Sequence, residues 1–186
     1  MRPALKPTLY EQLQALPEGL TGEILNGQLH TRPRPAWRHL RVESILNSKI
    51  HRRYDEGDGG PGGWWIVVEP EVHFIRDTEV GVPDIGGWRR QRMPIPPEDH
   101  RIEVVPDWVC EVLSPSTASK DREIKMPIYA AYGVAYIWLV DPTRRTFEAY
   151  ALDQGKWRQI ASAQDDEMIS LPPFEALALD LSTLWS

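Results

Sequence analysis

The spacing of apolar residues changes several times along the chain, and each change predicts an element. Leu9, Leu13 and Leu16 recur at helical spacing behind a T-x-x-E capping box made by Thr8 and Glu11, and Pro17 and Gly19 close this first helix. Glu23 to His30 turns about Asn26-Gly27, a dipeptide suited to a type I′ turn, and reads as a hairpin. Arg32-Pro33-Arg34-Pro35 reads as an extended linker, because a residue before proline avoids the helical region. Helical period returns from Trp37 to Tyr54, with Val42, Leu46 and Ile50 on one face and His39 and Glu43 among them.

Beyond the glycine-rich stretch Gly57 to Gly63 the pattern is that of strands. Trp64 to Ile75 reads as one strand broken at Pro70, and Val80 to Trp88 as a second interrupted by Pro83. The two form an antiparallel pair joined through Arg76-Asp77-Thr78-Glu79. Gln91 to Asp107, rich in proline and charge, is a surface loop. Trp108 to Leu113 is a buried strand stopped by Ser114-Pro115-Ser116. A helix from about Ala118 to Tyr132 follows, kinked at Pro127 and capped by Gly133. Ala135 to Val140 is an apolar strand, and Thr146 to Leu152 with Lys156 to Ala161 form a peripheral hairpin. A short strand near Ile169 and an apolar tail ending Leu184-Trp185 complete the chain. The order α-β-β-α-β-β-β-α-β predicts one α/β domain over residues 1–186, built around a single mixed sheet flanked by helices.

Composition narrows the setting. Hydrophobic residues make up 41% of the chain and charged residues 26%, a globular balance. No apolar run reaches the roughly 18 residues of a membrane span. The N-terminal residues lack the apolar stretch of a secretory signal, and the lone Cys110 excludes an intrachain disulfide, so a cytoplasmic protein is expected. The net charge of −6 argues against non-specific coating of nucleic acid. Charge is uneven, however: between Thr31 and Tyr54, Arg32, Arg34, Arg38, Arg41, Lys49, Arg52 and Arg53 face only Glu43. Such a segment could meet a phosphate backbone or simply form a solvated helix face.

Candidate chemistry gathers in three places: Pro83-Asp84, Glu111-Val112-Leu113-Ser114-Pro115-Ser116-Thr117, and Asp121-x-x-x-Lys125-x-x-x-Tyr129. Hard divalent ions take carboxylate oxygens, and a lysine beside them can orient the attacking water and offset charge on a pentavalent phosphate. Glu111 shares a strand face with Val109 and Leu113, whereas Cys110 points the other way and serves packing. Asp121, Lys125 and Tyr129 share one helical face.

These residues also carry a family likeness. The chain resembles the PD-(D/E)XK nuclease superfamily, and within it the stand-alone bacterial restriction-endonuclease-like branch called the Uma-two family. The likeness runs from about Leu9 to Leu152 and includes Gly22-Glu23-Ile24-Leu25-Asn26-Gly27, His39, Pro83-Asp84, the Glu111 to Thr117 segment, the Asp121/Lys125/Tyr129 face and Gly133 to Pro142. It implies a restriction-endonuclease-like fold. It also implies Asp84 and Glu111 as metal ligands for Mg²⁺ or Mn²⁺, Glu23 as a further acidic residue, and Lys125 as the catalytic lysine. The superfamily pattern sets its lysine two residues after the second acid, where this chain has Leu113. Lys125 then stands for a lysine relocated to the following helix.

Each residue also has a plain structural reading. Asp84 can cap a turn, Lys125 can pair with Asp121 on the surface, Glu23 can be solvated, and His39 can be a hydrogen-bonded core residue. Glu111 in an apolar strand is the exception, since an unpartnered buried carboxylate is costly. The expectation is therefore a divalent-metal-dependent endonuclease acting on nucleic acid, DNA first. The alternative is a catalytically silent module of the same fold. A two-fold homodimer is expected for paired cuts, with the apolar tail Leu177, Leu179, Leu181, Leu184 and Trp185 as interface material.

Overall fold

A computed structural model describes residues 6–185, so most of the N-terminal segment read above for targeting lies outside the described residues. Leu9–Gln14 forms α1, and both halves of the capping box are present. The Glu11 N–H donates to Thr8 Oγ1 at 3.1 Å, and the Thr8 N–H donates to the Glu11 carboxylate at 2.7 Å. β1 (Leu20–Leu25) and β2 (Gln28–Pro33) pair antiparallel across Asn26 and Gly27, whose φ values of 51° and 71° suit the type I′ turn. β2 continues through Arg32 and Pro33, so the expected linker is partly strand. Pro33 is tolerated there because β2 is an edge. Trp37–Ile50 forms α2, which runs on into a π-helical turn at His51–Asp55.

The two prolines do more than break strands. Pro70 separates β3 (Trp64–Val68) from β4 (Val72–Ile75), and Pro83 separates β5 (Glu79–Gly81) from β6 (Ile85–Arg89). β3 pairs with β6 and β4 with β5, so the expected antiparallel pairing holds, but it is divided between two sheets. The single-sheet expectation is corrected on this point. β4 and β5 join the first hairpin in a four-stranded sheet ordered β2-β1-β5-β4. A proline cannot extend a ladder hydrogen bond, and here each one marks where the chain leaves one sheet for the other. The two crossings are tied where the Glu69 N–H donates to the Asp84 carbonyl oxygen at 2.9 Å. Gly86 permits the close approach: a Cβ there would meet the Trp88 ring at 2.8 Å and the Pro70 ring at 2.9 Å.

β7 (Trp108–Val112) is paired antiparallel to β6 and parallel to β8 (Tyr136–Asp141). The helical crossover between β7 and β8 consists of α3 (Ala118–Lys120), a π-helical turn at Asp121–Lys125, and α4 (Met126–Tyr132). Pro127 lies inside this continuous helical stretch, two residues after the π-helical turn, so the irregularity falls where its missing N–H interrupts the helical hydrogen bonding. Gly133 closes α4 at φ 83°. β9 (Thr146–Asp153) and β10 (Lys156–Gln164) complete a six-stranded mixed sheet ordered β10-β9-β8-β7-β6-β3. This is the restriction-endonuclease-like mixed sheet expected, carrying few helices.

The main core lies between α2 and this sheet, with Val42, Leu46 and Ile50 against Trp108, Cys110, Trp138 and Phe174. Leu177, Leu179, Leu181 and Leu184 belong to the same core, so most of the tail offered above as a dimer interface is consumed internally. Such burial is worth about 1.5–3 kcal/mol per leucine, which outweighs leaving it exposed to await a partner. No helix among the described residues is long and apolar enough to cross a membrane.

Candidate active site

The site sits where the two sheets meet. β1 of the smaller sheet brings Glu23, the β5–β6 crossing brings Asp84, β7 of the larger sheet brings Glu111, and the π-helical turn brings Asp121 and Lys125. All five are buried, each at 4% exposure or less. Asp84 and Glu111 line one narrow cleft together with Arg32, Thr117, Lys120, Asp121 and Lys125.

Lys125 is the hub. Its Nζ lies 2.8 Å from Glu111 Oε1 and 2.9 Å from Glu23 Oε1, and donates to the Val82 carbonyl oxygen at 3.1 Å. The surface pairing of Lys125 with Asp121 weighed above does not describe this residue. Leu113, at the position where the superfamily pattern has lysine, packs with Val109 and Tyr129. The helix that covers this strand face supplies the ammonium instead. A π-helical turn is a frequent device at functional sites, and here it buries Asp121 and Lys125 on the face that continues to Tyr129.

Glu23 and Glu111 share that lysine yet titrate in opposite directions. Burial raises Glu23, but Lys125, Lys120 and the Val82 N–H outweigh it and hold the carboxyl down to about 2. Lys120 Nζ donates to Glu23 Oε2 at 2.7 Å and the Val82 N–H donates to Oε1 at 2.9 Å. Glu111 receives the Tyr129 hydroxyl at 2.5 Å. Burial pushes Glu111 up against the pull of Lys125, with Asp121, Asp84 and Glu23 adding to the rise. The divergence follows from the partners: Glu23 has a second lysine, and Glu111 has acidic neighbours instead.

Asp84 is held from several sides. Its Oδ2 accepts the Val112 N–H at 2.7 Å, and its Oδ1 lies 3.1 Å from an Arg32 guanidinium nitrogen and 3.2 Å from His39 Nε2. Burial opposes ionisation, but His39, Arg32 and Lys125 hold the carboxyl low. His39 Nε2 also lies 3.7 Å from Glu43 one helical turn on. Burial first, then Asp84 and Glu69, pushes Glu43 up to about 7.

Around this joint, the carboxylates of Glu23, Glu43, Glu69, Asp84, Glu111 and Asp121 meet only three permanent cations, Arg32, Lys120 and Lys125. A site short of positive charge and rich in oxygen donors fits a hard divalent cation. Ligand atoms of His39, Glu43 and Asp84 all lie within 4.8 Å of one another, with His39 Nε2 between the two carboxylates at 3.2 Å from Asp84 and 3.7 Å from Glu43. The donor set therefore accommodates such an ion.

The four residues expected from the sequence (Asp84, Glu111, Glu23 and Lys125) converge. Arg32, Lys120 and Glu69 were not anticipated. Arg32 had a usable signal: continuing the hairpin pairing two residues past His30 sets Arg32 opposite Thr21, on the strand face that carries Glu23. Glu69 and Lys120 reach the site through the crossing at Pro70 and the helical crossover after β7, which no local pattern announces.

The sequence matches the Uma2 family, described as "putative restriction endonuclease", over residues 8–182, and the chain belongs to that family. The fold is also found in a crystal structure from Anabaena variabilis ATCC 29413, described as "a putative nuclease belonging to DUF820". That protein is 23% identical, with a TM-score of 0.74 over 97% of this chain and 98% of the other. No curated protein matches the sequence. Family and fold together support a nuclease-like role.

Proposed function

We propose that the chain, acting as one domain, hydrolyses phosphodiester bonds in DNA with Mg²⁺ or Mn²⁺ bound chiefly by Asp84 and Glu111. The observation behind this reading is the convergence of Asp84, Glu111 and Lys125, from three separate elements, on one cleft, with the further carboxylates of Glu23, Glu43 and Glu69 packed around it. A bound divalent ion would supply an activated water and neutralise charge on the phosphate. Asp84 and Glu111 offer oxygen ligands, with His39 and Glu43 beside Asp84. Lys125 presents a fixed positive charge where charge builds on the reacting phosphate. Glu23 positions Lys125 and Lys120 through its two oxygens. The buried Cys110 thiol suits the cytoplasm, where disulfides do not persist. A homodimer remains part of the proposal, with its interface moved to the β3 edge, where Val67 and Val68 are exposed.

The test is incubation of plasmid and linear DNA with the protein in Mg²⁺, in Mn²⁺ and in chelator. Cleavage that needs the metal and vanishes in folded Asp84→Asn and Glu111→Gln variants is expected. Intact DNA under every condition would leave a silent module of the same fold.

A further inference from the structure

A second recess shares no lining residue with the cleft. Trp37, Arg38 and Arg41 from the start of α2, Pro142, Thr143 and Arg145 from the β8–β9 turn, and Leu184 and Trp185 from the tail enclose about 230 Å³. Three guanidinium groups and two indoles line it, and no carboxylate does so among the described residues. On a chain of net charge −6 this is an unusual concentration of one sign. Arg38, Arg41 and Arg145 have no ion-pair partner among the described residues. Trp37 is 76% exposed, although the fold buries Trp64, Trp88, Trp108 and Trp138. Leaving an indole in water forgoes the burial that drives the rest of the core, so the fold itself does not explain it.

Position relates this recess to the cleft. β7 and β8 are parallel and in register at Val112 and Val140, so Ser114 to Thr117 and Pro142 to Thr143 leave the sheet at the same end. Ligands of α/β sheets gather at such carboxyl ends. A groove lined by Arg34, Ala36, His39 and Ser116 shares Arg32 and Thr117 with the cleft, and its Ala36 immediately precedes Trp37 of the recess.

We infer that this recess is a binding site for an unpaired nucleotide, its base stacked on Trp37 and its phosphates met by Arg38, Arg41 and Arg145. Exposed aromatics interleaved with cations are how proteins hold single strands, because every base has a π-face to offer. A base inside a duplex has both faces already stacked, so the recess selects substrates carrying a single-stranded segment. The inference rests on the nuclease reading for its purpose, but it is tested by binding alone.

The experiment measures anisotropy of a labelled oligothymidylate of about 12 nucleotides, and of a blunt duplex, in chelator so that nothing is cut. Single-strand binding by the full chain should weaken roughly tenfold in Trp37→Ala and recover in Trp37→Phe, with duplex binding little changed. The double change Arg38→Gln with Arg41→Gln should reduce the salt slope for the single strand by about 1.4. Equal single-strand affinity in wild type and Trp37→Ala, or equal losses on both probes, overturns the site. So does a wild type that binds neither probe. Binding of the expected kind by a protein that cuts no DNA would sink the nuclease reading and leave the nucleotide site standing. Metal-dependent cutting with Trp37→Ala binding unaltered would do the reverse.

Discussion

On one face of α2, His39 and Glu43 are buried against Asp84, at the joint where carboxylates outnumber permanent cations; on the other, Trp37, Arg38 and Arg41 are exposed and meet no carboxylate. The same helix thus carries charges under two regimes. Buried charges are screened little and depend on one another, so removing one exposes the rest to the full cost of desolvation. Exposed charges are hydrated and screened, so each acts nearly alone. The cleft is therefore sensitive to single substitutions in stability as well as chemistry, whereas the outer face can change for binding at little structural cost.

The sharpest contrast is Lys125→Met against Arg41→Gln. Losing Lys125 leaves Glu23 and Glu111 facing each other without their shared cation and should cost about 3–5 kcal/mol in urea unfolding. Arg41→Gln should stay within about 0.5 kcal/mol of wild type. Comparable losses in the two variants would break the comparison. Next in size is the response to metal. Mn²⁺ at about a hundred times its dissociation constant should stabilise the protein by about 2.7 kcal/mol, read as a rise in Tm. Asp84→Asn should remove that gain and Arg38→Gln should keep it; a gain that survives Asp84→Asn moves the ion away from the cleft.

The assembly prediction concerns a third surface. Light scattering should report a dimer, and Val68→Asp on the exposed β3 edge should raise its Kd by about tenfold. Monomer alone in the wild type would end the dimer proposal. The smallest effect lies on the half-buried face of β9, where Arg122 forms a two-point pair with Glu148 at 2.6 and 3.0 Å. The hydrogen bonds from Arg122 lower the Glu148 pKa against the effect of burial. A carboxyl depressed in the folded state adds stability above its unfolded pKa and loses it as pH falls through the folded one. Glu148→Gln should therefore flatten the acid limb of the stability–pH profile by less than about 1 kcal/mol, because solvent screens the pair. An unchanged acid limb would assign that region's pH dependence to other carboxyls.

Local signals were the most legible part of this sequence. The capping box at Thr8, the Asn26-Gly27 turn and the Gly133 cap are short-range chemistry, and each is where the pattern puts it. The shared face of Asp121, Lys125 and Tyr129 was visible too, because helical spacing survives a π-helical turn well enough to keep all three buried. The second sheet was not visible. Pro70 and Pro83 looked like interruptions, since nothing local distinguishes a proline that bends a strand from one that sends the chain to another layer. For the same reason Glu69 and Lys120 were missed, and Arg32 was lost when its strand was read as linker. Sequence pattern and family likeness singled out Asp84, Glu111, Glu23 and Lys125, which the fold brings together, but only packing reveals which charges balance them.

Cys110 has a practical consequence. It is the chain's only cysteine, wholly buried beneath α2, and burial together with Asp84, Glu111 and Glu43 pushes its thiol well above the ordinary range. Protonated and inaccessible, it should ignore maleimides under native conditions. The natural sequence is thus already a background for single-site labelling. Ser44, exposed and two turns along α2 from Trp37, lies on the same outer stripe. A Ser44→Cys variant would carry a dye there as its sole reactive thiol, so that occupancy of the outer face could be followed by fluorescence without disturbing the cleft behind it.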